Sequence, residues 1–136
     1  KNKLIKNIKQ NNLSNCLVLN SMNSNNLKMI YYLSTIVISA PLKPEGFGRT
    51  ISECLSMKKI ILAYDYGGAK DQLNNLNNLY KIEPNNQKEL IQKINIALNI
   101  NDEEFKNISI ESRMHVIKFF SKEKMLNKYL DFYINL

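Results

Sequence analysis

Residues 40–53 read Ala-Pro-Leu-Lys-Pro-Glu-Gly-Phe-Gly-Arg-Thr-Ile-Ser-Glu, and they gather the side chains best suited to chemistry. In open parallel sheets, ligands bind beyond the carboxyl ends of the strands, and this loop follows the strongest strand candidate and precedes a helix. Gly46 and Gly48 remove side chains, so backbone can approach a ligand closely. A helix beginning near Arg49 points free N–H groups and its positive dipole end at the same place, which suits a phosphate or diphosphate. Arg49 in that first turn opposes the dipole, by a few tenths of a kcal/mol on the order of magnitude. Either it neutralises a bound anion or it extends into solvent. Thr50 has two readings too: a hydroxyl for the same anion, or one that satisfies a neighbouring group. Glu45 and Glu53 bracket the turn. Glu53 can accept from both vicinal hydroxyls of a ribose, and Glu45 from sugar hydroxyls. Their alternatives are a favourable helix-dipole contact for Glu53 and an ordinary loop charge for Glu45.

The rest of the chain offers little competition. His115 is the single histidine, stands in a late helical stretch, and reads as structural or surface. No Cys/His/Asp grouping has metal-ligand spacing, so no metal is expected. There is no Walker-type Gly-Lys-Ser/Thr, and Gly46-Phe47-Gly48 lacks the third glycine of a dinucleotide fingerprint. The Gly67-Gly68 turn either approaches a ligand or is only a tight turn.

These residues need a scaffold that alternates strand and helix. Leu4, Ile5 and Ile8 recur at helical spacing, Cys16-Leu17-Val18-Leu19 reads as a short strand, and Leu27 to Leu33 returns to helix. Thr35 to Ser39 is β-branched and apolar on both faces, as a buried parallel strand would be. A short helix at Ile51, Cys54 and Leu55 precedes the apolar strand Ile60–Ala63. A helix from about Lys70 and an edge strand at Leu79–Ile82 follow. From Gln87 onward the pattern is helical. Phe105, Ile108, Met114 and Ile117 mark one helix, and Ser121 caps the last, with Met125, Leu126, Tyr129 and Leu130 inward-facing. The Asn-Asn pairs between these segments read as loops. The expected architecture is one α/β domain over residues 1–136, a Rossmann-like parallel sheet flanked by helices.

With 136 residues, 44% of them hydrophobic, the chain can bury one core. No apolar run approaches the roughly 20 residues that cross a bilayer. The two cysteines, Cys16 and Cys54, read as small buried hydrophobes rather than a disulfide. Reduced thiols and the lack of a signal-like start point to the cytoplasm. The net charge of +7 comes from residues scattered over nearly every segment, not a stripe interleaved with aromatics, so nucleic acid is not an expected partner. The first residue is Lys1, so the sequence reads as processed or as a piece of something longer.

Glu45 and Glu53, separated by seven residues with Phe47-Gly48 among them, match the Glu-x7-Glu motif of retaining glycosyltransferases of the GT-B fold, chiefly glycosyltransferase family 4, group 1. The likeness runs on both sides. Ile36–Ala40 resembles the family's strand before the motif. Glu53-Cys54-Leu55-Ser56 resembles its Glu-Ala-Met-Ala. Ile60–Ala63 with Gly67-Gly68 and Asp71 is similar to Pro-Val-Ile-Ala followed by Gly-Gly-x-x-Glu. Phe120 to Tyr129 is similar to its closing helices. Asn20, Lys58 and Thr35 stand where the family has Gly, Gly and Asp.

The resemblance implies the donor-binding C-terminal half of a GT-B enzyme that moves a sugar from a nucleoside diphosphate sugar, with no further cofactor. In the family the first glutamate touches the donor sugar and the second holds the ribose. That role passes to Glu45 as the catalytic residue and to Glu53, with Gly46, Phe47, Gly48, Arg49 and Thr50 around the donor. The base would lie near Leu17–Leu19. A glycan or lipid-linked acceptor would bind an N-terminal domain absent from these residues, and peripheral membrane association is compatible with that. Arg and Lys residues that neutralise the leaving diphosphate in the family lie outside the chain, so little or no turnover is expected from it alone. The final helix, which packs on the other half in the family, would then be partly exposed. The alternative is a non-catalytic nucleotide-binding module or degenerate remnant, for which the departures at Asn20, Lys58 and Ile60 speak.

Overall fold

The computed structural model describes residues 2–135. Three strands form one parallel sheet in the order β1-β2-β3: β1 Ile36–Ser39, β2 Ile60–Tyr64 and β3 Lys81–Ile82. Ile36 pairs with Ile60 and Ser39 with Ala63, and Tyr64 at the end of β2 pairs with Ile82. Helix α1 (Asn2–Gln10) and α2 (Ser24–Leu33) precede the sheet; α3 (Arg49–Ser56) links β1 to β2, and α4 (Gly68–Leu73) with a 3-10 turn at Asn78–Tyr80 links β2 to β3. Helices α5 (Gln87–Leu98), α6 (Asp102–Phe120) and α7 (Lys122–Ile134) close the chain. Both α3 and α5 pack on β1 and β2, and α6 packs on α3. The expected α/β architecture is therefore present.

The central strand explains the core. All five residues of β2 are buried, and the inward stripe of α3 (Ile51, Cys54, Leu55) joins them with Leu73, Tyr80 and Ile82. Hydrophobic burial of this kind contributes roughly 25 cal/mol per Å² removed from water and fixes the register of the ladder. Tyr80 is buried whole, and its hydroxyl meets Ser112 Oγ at 2.5 Å, tying α6 to the strand layer.

Four readings need correction. Cys16–Leu19 forms no strand. Its apolar side chains find no ladder partner, Leu17 is 81% exposed, and Cys16 is an exposed free thiol rather than a buried one. β1 is an edge strand, so Ile38 faces outward and is not buried on both sides. Asn25-Asn26 belongs to α2, because Asn23 caps that helix by accepting from Asn26 N–H at 2.9 Å. Finally, the last stripes are broader than the buried seams: Met114 and Ile117 on α6, and Met125, Leu126, Tyr129 and Leu130 on α7, are exposed. The partial exposure of the final helix expected from the family resemblance fits better than inward packing. Ser121 does cap α7, accepting from Lys124 N–H at 3.3 Å. Among the described residues no helix is long and apolar enough to cross a membrane.

Candidate functional site

Helices α2, α5, α6 and α7 each begin with an Asn or Ser side chain that accepts a first-turn N–H. Helix α3 does not. Its N-cap is Gly48, in the left-handed region at φ 75°, with no side-chain cap. The first bond of the helix runs from Ile51 N–H to the Gly48 carbonyl at 3.0 Å. The start of α3 thus keeps N–H groups and the positive dipole end without a side-chain acceptor, as an anion site requires. A β-carbon on Gly48 would lie 3.6 Å from Glu45 Oε2, so the Glu45 carboxylate stands beside this helix start.

The loop is held in shape from behind. Gly67 and Gly68 lie against the backbone of residues 44–47: a β-carbon on Gly67 would come 2.6 Å from the Glu45 carbonyl, and one on Gly68 2.4 Å from that of Gly46. Gly68 N–H donates to the Glu45 carbonyl at 2.9 Å. Gln72, one turn further along, donates from Nε2 to the Phe47 carbonyl and to the Gly48 carbonyl, the latter at 3.3 Å. His115 Nε2 bonds the Gln72 carbonyl at 2.8 Å, and its ring lies among Phe119 and Phe120. Gly67-Gly68 is thus a tight turn that backs the loop. His115 is structural, acting two steps behind the loop. Phe47 is half-exposed, with its ring 6.1 Å from that of Phe120.

On its other flank α3 faces α2 across a cleft of about 600 Å³ lined by Lys28, Tyr31, Arg49, Thr50, Glu53 and Met57. Within it the Glu53 carboxylate has both oxygens engaged: Arg49 Nη2 donates to Oε1 at 3.1 Å, and the Tyr31 hydroxyl donates to Oε2 at 3.3 Å. The Arg49 side chain is 82% exposed, so this ion pair is worth only a few tenths of a kcal/mol, in the range of about 0.3–0.5 for helix pairs. Arg49 is held lightly and can leave. Burial pushes the Tyr31 hydroxyl above its usual range, while the facing Thr50 side chain works the other way. Cys54, behind Glu53, is pushed up to about 12 by burial and secondarily by the Glu53 charge, so it stays a neutral thiol. The structure brings Arg49, Thr50 and Glu53 together in one cleft. Glu45 and Gly48 line a separate crevice of about 10 Å³, and the two sets meet only at the start of α3.

The model of one protein family, described as glycosyl transferases group 1, matches residues 1–115. The chain belongs to this family. Among solved structures, a glycosyltransferase from Rickettsia africae ESF-5 is 37% identical with a TM-score of 0.86, over 97% of this chain and 35% of that one. S. aureus TarM, crystallised as a mutant with fondaparinux, alpha-GlcNAc-glycerol and UDP, is 27% identical with a TM-score of 0.79, over 96% of this chain and 26% of that one. HepE of Anabaena, solved with UDP-glucose, is 19% identical with a TM-score of 0.85 over 99% of this chain and 36% of that one, and speaks for the fold alone. None of the curated proteins matches the chain at a significant level. The chain thus spans about a third of the length of the Rickettsia glycosyltransferase and about a quarter of that of TarM. Its fold is that of the C-terminal domain of GT-B glycosyltransferases, which is the coarser part of the resemblance drawn from the Glu45–Glu53 motif and its flanks.

Two residues of the site went unread in the sequence. Tyr31 was visible only as part of an apolar helical stripe, although a buried tyrosine needs a partner for its hydroxyl. Gln72 occupies an inward position of α4, 1% exposed, where a polar residue signals a buried bond to be made.

Proposed function

We propose that the chain is the donor-binding domain of a retaining glycosyltransferase of family 4, which moves a sugar from a nucleoside diphosphate sugar to an acceptor. One observation carries the reading: two carboxylates, Glu45 and Glu53, flank a helix start that has no side-chain cap. The diphosphate would sit on the N–H groups of α3 and the backbone around Gly46, Phe47 and Gly48, with Arg49 and the Thr50 hydroxyl neutralising and binding it. Glu53 would accept from the ribose hydroxyls in the cleft beside α2, whose volume of about 600 Å³ accommodates a nucleoside. Glu45 would meet the donor sugar and act at the reacting centre. No metal or additional cofactor enters this scheme.

The acceptor, a glycan or a lipid-linked molecule, would bind a further domain outside these residues, and a lipid-linked acceptor would bring the protein to a membrane surface. Two free thiols suit a reducing cytoplasm. Titration calorimetry with UDP, GDP and ADP tests donor binding, with Glu53→Ala as control. Retention is tested by the anomeric configuration of the product, read by NMR on the full-length enzyme. Substantial turnover by these 136 residues alone would overturn the division of labour, because the groups that neutralise the leaving diphosphate would then have to lie within them.

The second reading, a non-catalytic nucleotide-binding module or degenerate remnant, rests on Asn20, Lys58 and Ile60. Of these, Lys58 adopts a left-handed conformation (φ 60°), which a glycine would take without strain, with both closing bonds of the α3 C-terminus formed, Lys58 N–H to Leu55 O and Lys59 N–H to Cys54 O, each 3.0 Å. At this position the departure costs stability, and the turn between α3 and β2 still closes.

A further inference from the structure

We propose that Tyr31 is a positioning residue for nucleotide recognition: its hydroxyl fixes the Glu53 carboxylate in the orientation that reads ribose hydroxyls. The inference rests on the reading of Glu53 as the ribose acceptor and adds a residue from another helix to it.

The Glu53 side chain is about one-third exposed, and on its own it could swing among several rotamers in the cleft. Its partner Arg49 is mostly exposed and is the group that an incoming diphosphate competes for, so Arg49 cannot hold the carboxylate during binding. Tyr31 is different. It is 5% exposed, belongs to the core cluster, and has only two rotatable side-chain bonds, both fixed by packing. Its hydroxyl reaches Glu53 Oε2 across 22 positions of sequence, from α2 to α3, and lies between Glu53 and Thr50. With Oε2 engaged by Tyr31, Oε1 becomes free for a ligand once Arg49 leaves it, and Oε2 can accept a second bond. A carboxylate held this way offers two acceptors at fixed spacing to two neighbouring hydroxyls, and the entropy of placing it has already been lost on folding. The hydroxyl is well suited to this part, because burial keeps it protonated and hence a donor throughout the physiological range.

Tyr31→Phe removes the donor and keeps the ring. The test is calorimetry of UDP, GDP and ADP, and of their analogues lacking both ribose hydroxyls, against the unsubstituted chain, Tyr31→Phe, Glu53→Ala and the double variant. Whichever nucleoside diphosphate binds should lose about tenfold in affinity with Tyr31→Phe, the low end for a bond to a charged acceptor given its 3.3 Å length. The deoxy analogue should change by less than about twofold. In the Glu53→Ala background Tyr31→Phe should have no further effect on either ligand, a coupling that a merely structural tyrosine would not give. Equal weakening of both ligands, or the same loss with and without Glu53, overturns the proposal. So does undiminished binding. If no nucleoside diphosphate binds the unsubstituted chain, the donor-binding reading itself fails and this inference falls with it. If one binds and loses affinity with Glu53→Ala but not with Tyr31→Phe, only this inference fails. Thermal melts keep misfolding distinguishable, since a lower midpoint with intact ligand discrimination counts against positioning.

Discussion

Gly68→Ala puts one methyl group into the backing of the donor loop, and its sign separates two accounts. By helix propensity alone, alanine at the start of α4 should be favourable by up to about 1 kcal/mol relative to glycine. The structure predicts the reverse. A β-carbon there would lie 2.4 Å from the Gly46 carbonyl oxygen, 2.5 Å from that of Phe47 and 2.6 Å from Phe47 Cα. All three obstacles are backbone, so none can turn aside as a side-chain end would, and the loop must move by about 1 Å to regain ordinary contact. Retreat in the other direction strains the Gly68 N–H bond to the Glu45 carbonyl and the Gln72 bonds to Phe47 and Gly48. Overpacking of this kind costs typically 1–3 kcal/mol, and we expect about 2 kcal/mol, or a fall in Tm of about 7 °C for a domain of this size. Gly46→Ala is the internal control: nothing lies within 4 Å of its β-carbon position, so its Tm should stay within about 2 °C of the parent. Differential scanning fluorimetry of the three proteins is sufficient. A Gly68→Ala chain that melts at or above the parent would refute the account of the loop, as would a Gly46→Ala chain that loses as much.

Other substitutions follow from the same contacts. Lys58→Gly should raise Tm by about 3 °C, since relieving a left-handed lysine at a helix C-terminus is worth about 1 kcal/mol, and a thermal melt will read it. Gln72→Leu keeps the volume but strands the Phe47 carbonyl and takes one of two donors from that of Gly48, which keeps Ile51 N–H; a loss of about 2 kcal/mol in urea unfolding is expected, together with weaker nucleotide binding. Cys54 has its thiol raised from 9.0 to about 12, chiefly by burial, so its contribution to stability is complete below pH 9.0 and is lost as pH rises towards about 12. Iodoacetamide at pH 8 should therefore label exposed Cys16 and spare Cys54 in the folded chain, counted by mass spectrometry.

What could be read from the sequence was local. The Gly48 turn, the Ile60–Ala63 strand and the Ser121 cap are each decided by a few neighbouring residues, and all three stand where the pattern put them. The Glu45–Glu53 spacing led to the family by the same local means. Cys16–Leu19 failed because an apolar run is a strand only if another strand pairs with it, and pairing is not a property of the run. Tyr31 and Gln72 were missed for a related reason: their bonds reach 22 to 25 positions along the chain, to atoms that periodicity cannot locate. The breadth of the α7 stripe misled in the other direction, since helical spacing identifies an apolar face without saying what covers it.

Whether the start of α3 and its two glutamates hold a nucleoside diphosphate is decided by titrating the chain with UDP, GDP and ADP in a calorimeter, alongside Glu45→Ala and Glu53→Ala. Saturable one-to-one binding of at least one of the three is expected, weakened about tenfold or more by Glu53→Ala, with a smaller effect of Glu45→Ala because a nucleotide without its sugar does not reach that carboxylate. Absence of binding at millimolar ligand, or binding indifferent to Glu53→Ala, would contradict it.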